Sequence, residues 1–297
     1  MCVNNNTLLL QGSIVAAHIL ESVKNQVKQF SGRPPCVVFI RVGQNGASVS
    51  YVAQKEKKAK ECGIRSILKV FDEATTSEQD LLSEIERLNQ DVTVDGILVQ
   101  APLPKSMNFT KIVGSIRPEK DVDGFGAYNC GRLMQDQAEL IPCTPAGIIE
   151  ILKYYNIQTA GKHVVIVNRS LIVGKPLAML LMKHSEFGDA TVTVCHSKTE
   201  NLEKITQQAD VLILACGKPH VFTKNFIKPG AVVIDVGITR VPANNERGYV
   251  LQGDCAAEDL AGYVSAITPV PGGVGPMTVA MLMKNTLKAY KLCQKQL

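Results

Sequence analysis

Short apolar runs alternate with longer amphipathic stretches along most of the chain. In the first half, the runs at residues 36–42, 66–71 and 95–100 are rich in β-branched residues, which is typical of buried strands. Helical spacing follows the first two runs, from about Ala47 to Cys62 and from Ser77 to about Asn89. This alternation predicts βα units, parallel sheets and therefore an α/β fold.

The second half repeats the rhythm more clearly. Its predicted strands lie at residues 163–167, 190–195, 210–215 and 231–236. Helices are expected after Gly174 and Thr199, and a last helix begins at about Met277. A turn-rich stretch between residues 117 and 147 separates the two halves, so we predict two domains, as the length of 297 residues also favours.

Composition narrows the class of protein. Apolar residues make up 45% and charged residues 20%, as in a globular protein with a substantial core. The net charge is +5, without a long Lys/Arg block, and tryptophan is absent, which argues against nucleic-acid binding. We expect no membrane association either, because no apolar run approaches the length of a span.

Nine cysteines are scattered through the chain without a C-x-x-C pair. Such a set predicts reduced thiols in a cytoplasmic protein, and it lacks the ligand spacing of a metal site. The N-terminus has no basic region before its short apolar run, so no signal peptide is expected.

The stretch "VVIVNRSLIVGKP", residues 164–176, combines a strand, a polar turn and a helix start. Backbone N–H groups at a helix start are unpaired and carry the positive end of the helix dipole, so they can hold a pyrophosphate. Gly174 allows close approach and Pro176 suits a first helical turn. The stretch is neither G-x-G-x-x-G nor Walker A, so a nucleotide site and an ordinary βα turn both stay open.

The end of the next strand bears on the choice of cofactor. NAD-binding sheets usually carry an acidic residue there, but residues 195–199 contain none. Arg169, Ser170, Ser197 and Lys198 instead form a cationic and hydroxyl-rich set suited to a 2′-phosphate. NADP is therefore favoured over NAD.

The stretch "YVAQKEKKAK" raises the possibility of a reactive lysine. Tyr51 and Lys55 share one helix face, whereas for any single lysine in such a run a solvated charge is the default. Three features favour chemistry at Lys55. Gln100 ends a buried strand, Asp123 lies in a turn-rich segment where it can bond a heterocycle, and "PVPGGVG" offers backbone to a flat ring.

With these motifs the chain resembles the bifunctional methylenetetrahydrofolate dehydrogenase/methenyltetrahydrofolate cyclohydrolase family, in its compact bacterial type, over nearly its whole length. The stretches that carry the resemblance are Tyr51-x-x-x-Lys55, "DGILVQAPLP", "RPEKDVDGF", "PCTPAG", "NRSLIVGKP", "GAVVIDVGI" and "TPVPGGVGPMT".

The resemblance implies two reactions at one site in one-carbon metabolism and purine biosynthesis. Hydride passes from 5,10-methylenetetrahydrofolate to NADP, and water then converts the methenyl cation to 10-formyltetrahydrofolate. Residues 1–140, completed by a C-terminal helix at 277–297, would form the catalytic, folate-binding domain. Residues 141–276 would form a Rossmann-like NADP-binding domain, with the active site in the cleft between the two. A homodimer is also implied.

The resemblance also implies the site residues. Lys55 would assist the attacking water, and we expect its amine to be partly uncharged because a cationic intermediate penalises a second positive charge. Gln100 would orient that amine, Tyr51 would stack on the folate, and Asp123 would bind the pterin. Other implied contacts are Ser48, Pro271, Gly272, Gly273 and Val274 for the substrate, and Asn168, Arg169, Ser170, Gly174, Ser197 and Ile238 for the cofactor.

Three positions depart from the family pattern. Asn168 replaces the usual glycine of the nucleotide turn, and we expect the turn to survive because asparagine tolerates positive φ, with a slightly displaced phosphate. Ala101 stands where leucine is common, and "GDCAAE", residues 253–258, replaces Gly-Asp-Val-Asp-Phe, which leaves the packing of that segment open.

Two other readings remain, a dehydrogenase-only homologue and a non-catalytic nucleotide-binding module. The joint presence of Lys55, Gln100 and Asp123 argues against the binding module, which has no need of a tuned amine. A dehydrogenase-only homologue would keep the nucleotide site but impair the delivery of water to Lys55. Among residues near the motifs, Cys143 is interpreted as a small buried filler, and Asp235 could border the nicotinamide or cap a turn.

Overall fold

The computed structural model describes residues 7–246 and 248–294. Its contacts divide the chain into two compact units, each built from two stretches of sequence. Unit 1 contains Met1–Ala16 and Thr144–Thr278, and unit 2 contains Ala17–Cys143 and Val279–Leu297. Residues 1–6 and 295–297, which the sequence-based division placed in the first domain and the last helix, lie outside the described residues.

The described residues form short strands and helices in alternation. The strands are β1 (Leu8–Leu9), β2 (Cys36–Val42), β3 (Arg65–Phe71), β4 (Gly96–Val99), β5 (His163–Val167), β6 (Thr191–Cys195), β7 (Val211–Leu214), β8 (Val232–Asp235), β9 (Thr239–Pro242), β10 (Tyr249–Gln252) and β11 (Ala266–Ile267). The helices are α1 (Gly12–Val27), α2 (Gly46–Glu61), α3 (Glu78–Gln90), α4 (Phe109–Gly114), α5 (Ala127–Met134), α6 (Cys143–Tyr154), α7 (Gly174–Met182), α8 (Leu202–Thr206) and α9 (Val274–Gln294). None of these helices is long and apolar enough to cross a membrane.

Unit 2 contains a three-stranded parallel sheet in the order β3-β2-β4. Every residue of β2 and β4 is buried, which explains their apolar runs, broken in β2 only by Arg41. Asn45 caps α2 by accepting the N–H groups of Ala47 and Ser48, and the predicted capping box of Ser77 and Asp80 opens α3. These caps fix where both helices leave the sheet.

Unit 1 contains a six-stranded sheet in the order β1-β11-β8-β7-β5-β6, and its paired strands are parallel. The order reverses at β5, because β6 lies on one side of it and β7 on the other. That reversal is where open α/β sheets bind ligands, beyond the carboxyl ends of the strands. The predicted α/β fold with a Rossmann-like half is confirmed.

The first described strand belongs to unit 1 rather than to the unit that holds most of the first half of the chain. Leu8 pairs with Ala266 and Leu9 with Ile267, which makes β1 an edge strand of the six-stranded sheet. The contact-based division therefore differs from the sequence-based boundary of 1–140 at this end. A strand of two residues is too short to show an alternation of apolar and polar positions in the sequence. Its position is set by its pairing with the distant strand β11.

Candidate active site

Lys55 and Gln100 form the centre of the polar site in unit 2. Lys55 lies on α2 with only 8% of its surface exposed, and its Nζ donates a hydrogen bond of 2.9 Å to Oε1 of Gln100. Gln100 follows β4 directly, and its backbone N–H bonds the carbonyl of Ile40 on β2. The amine is therefore held by a side chain at the carboxyl end of the parallel sheet.

The amide of Gln100 is itself held in place. Its Nε2 donates to the carbonyl of Ala101 at 2.7 Å, and this carbonyl also accepts the hydroxyl of the buried Ser48 at 3.3 Å. With Nε2 engaged in this way, Oε1 is turned toward Lys55. Ser48, predicted as a substrate contact, thus has a structural partner, and its role toward substrate stays a prediction.

Tyr51 lies one helical turn before Lys55 on α2, and 39% of its surface is exposed. An exposed aromatic ring beside a buried amine can stack on a flat ligand. The neighbouring Lys58 instead pairs with Glu61 in solvent, at 2.7 Å. The lysine-rich helix therefore separates into one buried amine and charges on its outer face.

Asp123 is half-buried, and burial raises the pKa of its carboxyl to about 6. The positive charge of Lys55 lowers this pKa, Asp121 raises it, and a hydrogen bond with the Cys143 thiol lowers it. Asp123 thus lies within electrostatic reach of Lys55, so the structure brings three of the four predicted catalytic residues into one polar cluster.

The segment that carries Asp123 is anchored by groups that sequence reasoning did not single out. The Lys120 ammonium donates to the backbone carbonyls of Leu88, Asn89 and Asp91 at the end of α3, over 2.8 to 2.9 Å. A cation suits the negative end of a helix dipole. On the other side, the buried Asp121 accepts the N–H groups of Gly124 and Gly126 and the side-chain amide of Asn129, which shapes the turn around Asp123.

Asn285 on α9 provides a further anchor for the same segment. Its Nδ2 donates to the carbonyls of Val122 and Ile141, at 2.9 and 2.8 Å, and lies 3.6 Å from Sγ of Cys143. Cys143 is buried, as the filler interpretation held, and its thiol donates to the carbonyl of Val122 at 3.5 Å. No local pattern in the sequence indicates these contacts, since they join residues far apart along the chain.

The candidate cofactor residues lie at the carboxyl edge of the sheet in unit 1. Val167 and Cys195 are register partners on β5 and β6, so the turns that follow these strands leave the sheet side by side. Arg169, Ser197 and Lys198 in these turns are exposed. Two cationic side chains and a hydroxyl at one edge suit a phosphate group, so the donor set fits NADP.

Gly174 opens α7 where no side chain could fit. A β-carbon at this position would lie 2.0 Å from the carbonyl oxygen of Asn168, so the helix start and the turn pack backbone to backbone. Asn168 itself is not among the residues with positive φ. The turn therefore does not use the positive φ that asparagine tolerates, and the side-chain amide of Asn168 holds it instead.

The Pro/Gly loop that precedes α9 is shaped by its glycines. Gly272 has a φ of +105°, which favours glycine, and the N–H of Gly273 bonds the carbonyl of Pro269 at 2.8 Å. Val274 is buried, and Ile238 lies near Gly275, where a β-carbon would come within 3.0 Å of its Cδ1. Pro271, Gly272, Gly273, Val274 and Ile238 thus belong to unit 1, and their contacts to ligands stay predictions.

Asp235 caps turns, which was one of its two interpretations. Its carboxylate accepts the N–H groups of Gly237, Asp254 and Cys255. The Cys255 thiol, in the segment that departs from the family pattern, donates to Oδ2 of Asp235 at 3.1 Å and is buried. Burial raises the pKa of that thiol far above its usual range, so Cys255 packs as a neutral hydrogen-bond donor.

Comparison with known proteins is in agreement with this geometry. The family model described as tetrahydrofolate dehydrogenase/cyclohydrolase, catalytic domain, matches residues 10–123. The model described as the NAD(P)-binding domain of the same family matches residues 142–294. The chain belongs to the tetrahydrofolate dehydrogenase/cyclohydrolase family.

Individual relatives are similar over nearly their whole length. A "Bifunctional protein FolD" of Campylobacter hominis is 50% identical over 291 residues, covering 97% of this chain and 99% of that protein. The crystal structure of the bifunctional enzyme FolD of Campylobacter jejuni matches with a TM-score of 0.90 and 41% identity, over 98% of this chain and 100% of that one. The Trypanosoma brucei enzyme, solved with NADP cofactor and inhibitor, has a TM-score of 0.90 and 35% identity, over 97% and 98% of the two chains.

The raised pKa of Asp123 predicts a specific pH dependence. Between the ordinary carboxyl pKa and about 6, the folded state holds a proton that the unfolded state has released, so this group stabilises the fold at low pH and loses that contribution as pH rises. Asp123→Asn removes the titration. The unfolding free energy of the variant, minus that of the native chain, should therefore rise by roughly 1–2 kcal/mol between pH 4 and 7, allowing for partial exposure.

Urea unfolding of both chains at several pH values measures this difference. If the two unfolding free energies keep a constant separation across that range, Asp123 does not titrate as described.

Proposed function

We propose that this chain catalyses two consecutive reactions on one-carbon derivatives of tetrahydrofolate. The first is oxidation of 5,10-methylenetetrahydrofolate to 5,10-methenyltetrahydrofolate with NADP, and the second is hydrolysis of that product to 10-formyltetrahydrofolate. The observation that carries the proposal is the 2.9 Å hydrogen bond between the buried amine of Lys55 and Gln100, with Asp123 within electrostatic reach. Family membership provides the reaction class.

In the first reaction the chain binds and orients the folate. NADP, when bound, supplies the hydride acceptor. Asp123 accepts hydrogen bonds from the amide and amine of the pterin, and the exposed ring of Tyr51 stacks on the flat ligand. Loss of hydride leaves a positive charge on the one-carbon bridge, and the carboxylate of Asp123 offsets part of that charge in a half-buried setting.

In the second reaction Lys55 acts as the base for the attacking water. Water adds to the cationic methenyl carbon, and the Lys55 amine takes a proton from it. The bond from that carbon to N5 then breaks as N5 gains a proton, which leaves the formyl group on N10. Oε1 of Gln100 accepts one N–H of the Lys55 amine. This bond orients the rest of the amine group.

The cofactor is assigned to unit 1. Arg169, Ser197 and Lys198 bind the 2′-phosphate, because two cationic groups and a hydroxyl follow adjacent strands. The turn formed by Asn168, Ser170 and Gly174 lies against the adenosine and pyrophosphate. Ile238 and the loop of Pro271, Gly272, Gly273 and Val274 hold the nicotinamide end of the cofactor.

Replacement of Lys55 tests the second reaction. We expect Lys55→Met to bind NADP but to lose at least about a hundredfold in the hydrolysis of methenyltetrahydrofolate, because no base remains for the attacking water. Decay of the methenyl absorbance measures this step, and NADP reduction with methylenetetrahydrofolate measures the first. Lys58→Met is the matched control on the same helix, since its ammonium pairs with Glu61 in solvent.

Hydrolysis by Lys55→Met at the native rate would show that the mechanism is wrong. If the native chain reduces NADP without hydrolysing the methenyl product, it is a dehydrogenase-only homologue.

We further propose that the protein is a cytoplasmic homodimer. The described cysteines are all free thiols, which suits a reducing compartment, and the dimer follows from the family resemblance. Sedimentation equilibrium should give twice the chain mass of 32.2 kDa. A single-chain mass throughout a micromolar concentration series would contradict the dimer.

A further inference from the structure

The first helical turn of α7 leaves no backbone N–H group free for a ligand. A helix start has four such groups without partners inside the helix, and they are what makes it an anion site. In α7 the N–H of Val173 bonds Oγ of Ser170 at 3.1 Å, and that of Lys175 bonds the carbonyl of Ser170 at 3.0 Å. Pro176 has no N–H, and the remaining group, on Gly174, is bonded to Asn168.

The side chain of Asn168 accounts for this last bond and for two others. Its Oδ1 accepts the N–H groups of both Ser170 and Gly174, at 2.8 and 3.0 Å. Its Nδ2 donates to the carbonyl of Ala215, which follows β7, at 2.7 Å. One amide therefore connects the ends of β5 and β7 to the start of α7, across the point where the strand order reverses.

We propose that Asn168 is a positioning residue whose amide oxygen occupies the place of a phosphate oxygen at the start of α7. The proposal rests on the use of NADP argued above. Oδ1 satisfies the same N–H donors that a pyrophosphate would use, so a bound dinucleotide must displace the amide or do without these donors. Glycine, the usual residue of the family at this position, has no side chain to fill that place.

The occupied helix start changes which part of the cofactor contributes most to binding. When the pyrophosphate gains little from the helix start, the affinity for a dinucleotide depends more on its 2′-phosphate. Arg169, Ser197 and Lys198 are exposed and available for that group. The amide thus makes NADP binding depend on the adenosine end of the cofactor and keeps the turn ordered without ligand.

Equilibrium titration with three probes, NADP, NAD and adenosine 2′-monophosphate, separates these contributions. Asn168→Gly and Asn168→Ala free the N–H groups of Ser170 and Gly174, and we expect both variants to bind NADP and NAD about tenfold more tightly, as one charge-assisted hydrogen bond would give. Binding of adenosine 2′-monophosphate, which has no pyrophosphate, should not change. The midpoint of thermal unfolding without ligand should fall, because the bridge to Ala215 is lost.

Two controls accompany the titration. Asn156→Gly makes the same chemical change at an exposed turn of unit 1 and should alter none of the three affinities. Arg169→Ala should weaken NADP and adenosine 2′-monophosphate but not NAD. Asn168→Ala keeps a β-carbon and so carries the test if the glycine variant fails to fold.

The possible results are distinguishable. Equal gains for NADP and NAD in the Asn168 variants support the proposal, since a merely structural residue would not raise affinity when removed. Unchanged or weaker binding of both dinucleotides, with native NADP binding intact, overturns this inference and leaves the proposed function standing. Failure of the native chain to bind NADP overturns both.

Discussion

The polar site of unit 2 is organised around one buried amine that needs an acceptor. Lys55 is almost fully covered, and a buried amine is costly unless hydrogen bonds replace its lost hydration. Gln100 provides that hydrogen bond. Asp123 lies within electrostatic reach of the same amine. The end of β4 and the turn around Asp123 are accordingly both placed near the Lys55 amine on α2.

The turn around Asp123 is rigid for reasons that lie outside it. Lys120 ties its start to the end of α3, Asp121 folds the backbone back through Gly124 and Gly126, and Asn285 holds the carbonyl of Val122 from α9. Each anchor satisfies groups that would otherwise be buried without partners. The carboxyl of Asp123 is thereby fixed where burial raises its pKa. The same contacts that hold the turn therefore also set the electrostatics of the site.

Much of this could be predicted from residues alone. The strand at Cys36–Val42 and the capping box of α3 were confirmed, because apolar runs and caps are local signals. The predictions did not include α1, α4, α5, the two-residue strands β1 and β11 or the antiparallel pair β9 and β10, and α9 begins three residues before the predicted start. At the site, spacing indicated Lys55 and the strand end indicated Gln100. The contacts of Asn285 and the amide bridge of Asn168 join distant segments, and no local pattern reports them.

A double-mutant cycle on methenyltetrahydrofolate hydrolysis tests most directly whether Gln100 acts through Lys55. The four chains are the native one, Lys55→Met, Gln100→Met and the double variant. If Gln100 serves only to orient the amine, its replacement should slow the native enzyme at least about tenfold but have no further effect once Lys55 is methionine. An equal loss in both backgrounds would show that the two side chains act independently and would contradict the account.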